Sequence, residues 1–587
     1  MTNWDYLTII FYLIFMFSMG PVYQSFSKTS SDFFRGGGGM LWWIVGTSSF
    51  MIGFTAWAFT GGAAKIYETG TFILILFLCN VVAMVFCYFF VAVKYRQMRI
   101  ITVMDGVRRR FGKFSEQFFT WLLLVTRIIY GGLGLYTIAV FMTGVFGISM
   151  SIQIVVLGAV VTFMTVIGGS WAAIASDFVQ MLMVFIITIL MAVLTVMHPQ
   201  IGGITEFWHK IPSHHFNWTQ FDRGSVIIFF FATLIINQLV QMNSLIDGAS
   251  RYVFAKNGTD VKKALIIPII GGFLMPIIWL IPPIGATMLF PNLAERYPQL
   301  NNPNEAAYIA MAVQLLPAGL LGLLVSAIFA ASVTTYTGML TIVSGSFVKN
   351  FYVSLVKPSA SEKEQIFVGR IVMLVYGVLW ILVGLYFQHY KALPLFDLVL
   401  ILAASIGLPV AVPLFLGILI KKTPSWTGWS SMLIGLVGAI VMRFILTDNM
   451  IKILWRCPDL NKNEIDDLNI AITTAVVAFL CFGWFFLSML FYKKNDSEYV
   501  EQVDRFFKEM DTPISETENE LDQDCDVRQY RVIANLCIIY GSFLLLLILI
   551  PNKLFGRFLI VICGGFMVGA GIILKLIGNH IKKRVLR

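Results

Sequence analysis

Apolar segments of membrane-spanning length follow one another along most of the chain. About fifteen of them are separated by polar segments, and each is near the roughly 20 residues that a helix needs to cross a bilayer. Such segments are too long for the strands of a transmembrane β-barrel, which are about 10 residues long and alternate in polarity. The pattern predicts an all-α polytopic membrane protein. The segments lie near residues 4–24, 42–63, 70–93, 117–145, 150–168, 171–197, 224–246, 263–290, 317–348, 364–387, 394–420, 426–446, 468–492, 530–550 and 556–580.

Lysine and arginine are concentrated in alternate loops. The richest loop is 94–116, and basic residues near 251–263, 349–363, 421–422 and 582–587 fall on the same side. Cytoplasmic loops carry the excess of basic residues. Fifteen spans then place the N-terminus outside and the C-terminus in the cytoplasm, and we expect a multi-pass protein of a bacterial inner membrane.

The composition agrees with a membrane protein and narrows its partners. Of 587 residues, 58% are hydrophobic and 13% charged, against about 45–50% and 25% in soluble domains. The formal net charge of +10 is spread over loops, so it predicts contact with a lipid bilayer and no nucleic acid. The sequence contains no HExxH, GxSxG or Walker motif, so we expect no enzymatic activity.

A hydroxyl-rich stretch lies within the apolar segment 317–348. It runs from Ala331 to Gly338 and contains Ser332, Thr334, Thr335 and Thr337. Hydroxyl and carbonyl oxygens suit a small hard cation. The alternative is that the hydroxyls only bond to carbonyls of their own helix.

Other polar residues within apolar segments indicate a pathway through the membrane. Each has a simpler alternative: a helix cap for Asp177, an internal ion pair for Arg127, a packing amide for Asn80 and interhelical hydrogen bonds for the amides of 237–247. Segments interrupted by Gly and polar residues near 50–62 and 237–247 nevertheless favour two related halves. Transporters use such interrupted helices to hold ion and substrate at mid-membrane.

Five short motifs stand in order between residues 4 and 446. They are Ser31–Gly37 with Leu41–Trp43 and Gly46–Ser48, Ile101–Asp105 with Arg110-Phe111, Gly168-Gly169 with Ser176–Gln180, Ser250-Arg251, and Lys421-Lys422 with Gly428. Their order and spacing resemble the sodium:solute symporter family, which includes the sodium/glucose, proline, pantothenate and sialic acid carriers. The chain departs from the family pattern at Ser250, where the family has glutamine.

The resemblance implies a LeuT-like fold with a five-plus-five inverted-repeat core and extra flanking helices. The expected division of the chain is an N-terminal extra helix and loop (1–41), a first repeat (42–197), a second repeat (224–420), accessory helices (426–492), a cytoplasmic linker (493–529) and C-terminal helices (530–587). The linker is expected to carry a short amphipathic helix at 500–510.

The resemblance also implies a sodium site. Ala331 would contribute its carbonyl, and Thr334 and Thr335 their hydroxyls. Met51 and Phe54 would contribute carbonyls from the broken first core helix, where the type of side chain does not matter. Asp177 matches a family carboxylate that helps sodium to bind or leave.

The expected substrate residues are Gly53, Asn80, Arg127, Gln238 and Gln241. The sugar-binding positions of the family match poorly, because Leu76 and Phe77 stand where galactose carriers have polar ligands. Arg127 resembles an arginine of the sialic acid carriers that meets the substrate carboxylate, and a planar guanidinium suits that partner.

Together these features predict a sodium-coupled secondary symporter that imports a small organic solute, such as a sugar, a sugar acid or another carboxylate, by alternating access. Sodium is the expected coupling ion. The alternative function is a transporter-fold solute sensor, with residues 493–529 as its output arm. A passive channel is disfavoured, because the sequence lacks a repeated filter or charged ring.

Overall fold

The computed structural model describes residues 1–24, 39–100, 102–216, 224–246, 252–389, 394–456, 458, 460, 462–492, 497–514 and 523–585. Within these ranges the regular structure is helical, apart from one isolated bridge between Met40 and Ala255. The motif residues 31–37 and 250–251 lie outside the described residues.

The α-helices of the described residues are numbered in chain order. They are α1 (Asn3–Gln24), α2 (Trp42–Met51), α3 (Ala63–Thr69), α4 (Leu74–Phe90), α5 (Ala92–Gln97), α6 (Val103–Phe111), α7 (Lys113–Phe146), α8 (Met150–Val196), α9 (Ile204–Lys210), α10 (Gly224–Met242), α11 (Gly258–Trp279), α12 (Ile281–Leu289), α13 (Leu293–Arg296), α14 (Ala307–Leu315), α15 (Leu320–Ser346), α16 (Glu362–His389), α17 (Leu395–Leu402), α18 (Leu408–Leu419), α19 (Thr427–Ile445), α20 (Asp448–Trp455), α21 (Lys462–Ser488), α22 (Ser497–Asp511), α23 (Gln523–Leu546) and α24 (Leu554–Val585). Wider π-turns occupy Ala58–Gly62, Phe347–Val356 and Ala403–Gly407.

Twelve helical segments of the described residues are long and apolar enough to cross a membrane. Two shorter apolar helices, Asn3–Met16 and Val226–Met242, coincide with two further expected spans. The first core span is divided, because α2 ends at Met51 and the helical segment Ala58–Phe90 continues into the next span. The count of about fifteen therefore stays a prediction.

The element α8 contains two candidate spans, Met150–Ile167 and Ser176–Val196. Thr165 bonds to Thr337 at 3.0 Å, and Gln180 accepts a hydrogen bond from Thr334 at 3.2 Å. In one straight helix, Thr165 and Gln180 would lie about 22 Å apart along the axis, yet their partners are on neighbouring turns of α15. The element α8 is therefore bent between its two spans.

Glycines allow close contact between α7 and its neighbours. A Cβ at Gly131 would lie 1.8 Å from a ring carbon of Trp380, and one at Gly134 would lie 2.1 Å from the ring of Tyr336. Trp380 is held in place because its indole N–H donates to the carbonyl of Arg127 at 2.9 Å. Small residues at these positions thus fix the height and rotation of α7 against α15 and α16.

We expect Gly131→Ala to lower the free energy of unfolding by about 1–3 kcal/mol, because Trp380 is forced out of a filled space. The midpoint of thermal unfolding in detergent measures this effect. Gly565→Ala is the matched control, since a Cβ there meets nothing within 4 Å. Equal midpoints for the two variants would contradict the packing argument.

On the side of the basic loops, Arg110 joins three parts of the chain. It is 2% exposed and donates to the carbonyl of Gly417 at 2.8 Å and to the hydroxyl of Thr423 at 2.6 Å. A third bond of 2.9 Å reaches the hydroxyl of Tyr499 on α22. We call these residues the Arg110 cluster. It holds the amphipathic helix, expected at 500–510 and described here as α22, against α6.

Candidate functional site

The site begins at the break between α2 and α3. Beyond Met51 the backbone forms short turns, with Gly53 N donating to Phe50 O at 3.2 Å and Phe54 N to Met51 O at 3.1 Å. The amide of Ala56 donates to the hydroxyl of Ser332 at 2.8 Å. The break is therefore fixed to the hydroxyl-rich stretch of α15, and buried backbone groups freed by the break find partners there.

The oxygens expected to bind sodium are close together on α15. The hydroxyls of Thr334 and Thr335 each donate to the carbonyl of Ala331 at 3.1 Å. Thr334 also lies 3.2 Å from Gln180 Oε1. Neutral oxygens from hydroxyls, amides and carbonyls are ligands of the kind that hard cations take. Among the described residues, no group of three or more His, Cys, Asp or Glu side chains is placed so that it could hold a metal ion.

The carboxylate of Asp177 contacts the broken helix directly. Ser48 on α2 donates to Asp177 Oδ2 at 2.5 Å. One turn further along α8, Gln180 meets Thr334. Asp177 and Gln180 are each 1% exposed. This face of α8 therefore connects α2 to the threonines of α15.

A cavity of about 270 Å³ opens beside the break. Six helices and the break contribute to its wall, so residues far apart in sequence meet there. It brings together the expected residues Gly53, Phe54, Asn80, Arg127, Gln241 and Thr335. Met51, Ala331, Thr334, Asp177 and Gln238 are not among its lining residues.

Arg127 is the only charged side chain among the described residues that line this cavity. Most of the wall is apolar, which the sequence did not indicate. The apolar side chains are Phe50, Ile52, Phe54, Phe77, Val81, Met84, Cys87, Met242, Ile246, Pro268, Met339 and Ile342.

Two amides provide most of the remaining polarity. Asn80 Oδ1 is buried and accepts no hydrogen bond from the described residues. Gln241 donates to Asn237 Oδ1 at 2.5 Å and to the carbonyl of Ala403 at 3.1 Å. Ala403 begins the π-turn 403–407. A π-turn leaves backbone carbonyls without helical partners, and such turns are frequent at functional sites. Gln241, rather than Gln238, faces the cavity.

The cavity is closed at the end remote from the basic loops. Trp57 stacks on Phe396 with ring centroids 5.7 Å apart, and a Cβ at Gly61 would lie 3.0 Å from Leu395 Cβ. At the opposite end the lining includes Cys87 and Ile342, whose helices continue toward basic loops. The cavity therefore extends toward the basic side.

A buried carboxyl reinforces the closed end. Glu305, in the turn Pro303–Ala306, is 2% exposed and accepts a hydrogen bond from Leu395 N at 3.2 Å. The neighbouring Asn304 donates to Glu68 Oε1 at 2.7 Å. The turn thus links the end of α3 to the start of α17. Burial raises the pKa of the Glu305 carboxyl to about 8.

We expect Glu305→Gln to reduce the pH dependence of stability. The pKa of Glu305 is raised from 4.5 to about 8 on folding, so its stabilising contribution is complete below pH 4.5 and is lost as the pH rises through 8. The thermal midpoint of the original protein should fall relative to that of the glutamine variant between pH 5 and 9. Glu295→Gln, at an exposed position of the short helix α13, is the control. A constant difference between the midpoints across this range would reject the assignment.

Several residues of the site were not expected from sequence. Ser332 and Ser48 connect the broken helix to α15 and α8, and Gln180 contacts Thr334. Gln180 was part of a recognised motif, and both serines lay in segments noted for their hydroxyls. No sequence signal distinguished hydroxyls that join two helices from hydroxyls that bond to their own helix.

A family model and the curated relatives agree on one family. A model of the sodium:solute symporter family matches residues 33–435. The chain is 23% identical over 448 residues to the sodium/sialic acid symporter NanT of Aliivibrio fischeri, covering 74% of this chain and 86% of that protein. It is 24% identical over 493 residues to the sodium/glucose cotransporter 1 of Ovis aries, covering 74% and 71%.

A solved structure shares the fold. It is the substrate-bound outward-open state of a Na⁺-coupled sialic acid symporter, with a TM-score of 0.64, 19% identity, and coverage of 81% of this chain and 97% of that chain. The expectation of an all-α, LeuT-like membrane protein is confirmed.

Proposed function

Because the chain belongs to the sodium:solute symporter family, we propose that it carries a small carboxylate with a largely apolar body, together with sodium, through the cavity beside the broken helix. The protein is a sodium-coupled symporter and not an enzyme. What the proposal adds is the class of solute and the residues that bind it and the ion.

The observation that carries the proposal is a single arginine in a mostly apolar cavity. Arg127 projects from α7 into the same space as Asn80 and Gln241. A guanidinium presents a planar fork of donors that matches a carboxylate in two parallel hydrogen bonds. The two amides can orient a second polar group of the solute.

The apolar wall favours such an anion over an unmodified sugar. Each hydroxyl buried without a hydrogen bond costs roughly 1–3 kcal/mol, and a hexose brings several. The polar lining beyond Arg127 consists of Ser49, Asn80, Gln241, Tyr252 and Thr335. An apolar solute body packed against side chains such as Phe77 and Met339 instead contributes a favourable free energy of about 25 cal/mol per Å² of apolar surface removed from water.

For sodium we propose the oxygens of Ala331, Thr334 and Thr335 with the carbonyls of Met51 and Phe54. The support is that both hydroxyls already converge on Ala331 and that the break is bonded to Ser332. Sodium at this position would join α2 to α15. An ion that binds one arrangement of these helices better than another shifts the protein toward it, and that difference couples the two fluxes. Asp177, through Ser48, would influence ion release.

We further propose a bacterial inner membrane as the location, with the N-terminus outside and the basic loops in the cytoplasm. The basic residues of 94–116 and 421–422 support this orientation. Because the cavity extends toward that side, the arrangement described here corresponds to a state closed to the outside. The five-plus-five division at 42–197 and 224–420 is part of the same proposal.

Transport into proteoliposomes tests the proposal. With a sodium gradient, we expect uptake of benzoate or a branched-chain carboxylate, weaker uptake of a sugar acid and none of glucose. Replacing sodium by potassium should abolish uptake. Equal uptake of glucose and benzoate would refute the solute class while leaving the sodium site in place, and sodium-independent uptake would refute the coupling.

A further inference from the structure

A second cavity, of about 280 Å³, lies between α17, α19 and α21. It is separate from the first, because the two cavities have no lining residue in common. One face of α17 and of the π-turn that follows it is directed toward the first cavity. On this face Phe396 stacks on Trp57, and the carbonyl of Ala403 accepts a hydrogen bond from Gln241. Ser405 lines the second cavity from the same segment. The π-turn 403–407 thus lies between the two cavities.

The chemistry of the second cavity differs from that of the first. Six of its ten lining residues are polar, and they include charges of both signs. The polar residues are Asp397, Ser405, Arg443, Asp466, Asn469 and Thr473. Polar groups that converge from three helices on one space can fix the orientation of a small ligand.

Two of the charged residues, Asp397 and Arg443, are paired neither with each other nor with another described residue. Within the described parts of the chain, neither Asp397 nor Arg443 has an ion pair within 4.0 Å. Asp466 pairs with Lys462 at 3.1 Å. Lys65, whose charge acts on Asp397, pairs with Asp467 at 3.5 Å. Asp397 and Arg443 therefore offer an anionic and a cationic end of one cavity, with space between them.

We propose that this second cavity binds a small zwitterion of the α-amino-acid class, with its ammonium group at Asp397 and its carboxylate at Arg443. The volume is slightly below the range of about 300–1,000 Å³ typical of small-molecule pockets, which limits the ligand to roughly the size of a free amino acid. Ser405, Asn469 and Thr473 supply neutral hydrogen-bonding groups. A ligand with only one charge satisfies only one end.

Binding here would act on transport through α17. That helix also supplies Phe396, which closes the first cavity against Trp57. A zwitterion that fixes α17 against α19 and α21 changes the rate of opening, and it does not contact the transported solute. We therefore expect a change in maximal uptake rate at unchanged KM.

The test uses the purified full chain in detergent, titrated with glycine, L-alanine, L-serine and L-glutamine and followed by thermal unfolding. At least one of these should raise the midpoint of the original protein and of Arg127→Gln. Propionate and ethylamine, which carry one charge each, should not raise the midpoint of Arg127→Gln, in which the arginine of the first cavity has been removed. Arg443→Gln should weaken the effect by about tenfold or more. Lys553→Gln, at an exposed position that does not line the cavity, should leave it intact.

Arg443 is exposed, so Arg443→Gln tests the site even if Asp397→Asn fails to fold. Arg127→Gln separates the two cavities, since it removes the charge of the first and leaves the second unchanged. No response to any of the four amino acids would overturn the proposal. So would equal binding by Arg443→Gln and the original protein, or loss of binding in Arg127→Gln.

Discussion

Replacing both Thr334 and Thr335 by alanine is expected to weaken the apparent sodium affinity of transport by roughly 10- to 100-fold. Loss of one polar contact to a charged group costs about 1.5–3 kcal/mol, and about 1.4 kcal/mol corresponds to tenfold in affinity. The two hydroxyls share one acceptor, the carbonyl of Ala331, so their contributions should not add fully. Initial uptake rate as a function of sodium concentration measures the effect.

Thr341→Ala is the matched control for this experiment. Thr341 lies on the same helix, is 3% exposed, and donates to its own helix at Thr337 O at 2.8 Å. It should change stability slightly and leave the sodium dependence as it was. If the double variant and the control had the same half-saturating sodium concentration, sodium would not bind at these threonines.

Replacing Arg127 by glutamine is expected to reduce carboxylate uptake by roughly 100-fold at low substrate concentration. Removing one partner of a hydrogen-bonded charge pair costs about 2–5 kcal/mol. Arg127→Lys should recover part of the loss, because it restores the charge without the planar fork. The loss should appear in the uptake rate at subsaturating solute concentration. At high solute concentration, the half-saturating sodium concentration should be nearly unchanged.

The amide analogue of the carboxylate identifies what Arg127 recognises. For this neutral solute, the difference between the original protein and Arg127→Gln should shrink to a fewfold. Arg296→Gln is the control, because Arg296 is exposed at the end of the short helix α13 and does not line the cavity. An equal loss for acid and amide would mean that Arg127 supports the helix α7 and does not bind the solute charge.

Much of the fold could be predicted because the hydropathy of a segment indicates directly whether it can span the bilayer. Helix length and the spacing of basic loops need no tertiary information. Ala331, Thr334 and Thr335 could be placed together for a similar reason, since residues three and four apart share a helix face. To predict that Arg127 and Asn80 lie in one site, the resemblance to a family was needed in addition to the local pattern.

The character of the cavity could not be predicted, because it depends on which face of each helix turns inward. Met339 and Ile342 read as ordinary apolar residues of a span, yet they line the cavity with Arg127. Gln238 and Gln241 lie on the same apolar segment, and only the packing of α10 against the π-turn at Ala403 selects Gln241. The division of the first core span at Met51 similarly depends on contacts with Ser332 on α15, far away in the sequence.

The Arg110 cluster has a consequence for biosynthesis. Arg110 and Tyr499 are separated by 389 residues, so the arginine is made long before its partner on α22. At about 5–20 residues per second, translation of the intervening chain takes roughly 20–80 s. During that interval the loop between the second and third core helices lacks its cover. The face that carries the basic loops is completed only when nearly all membrane spans have been made. A chain interrupted before residue 497 would therefore leave Arg110 without this partner, which gives quality-control proteases a physical difference between finished and unfinished molecules.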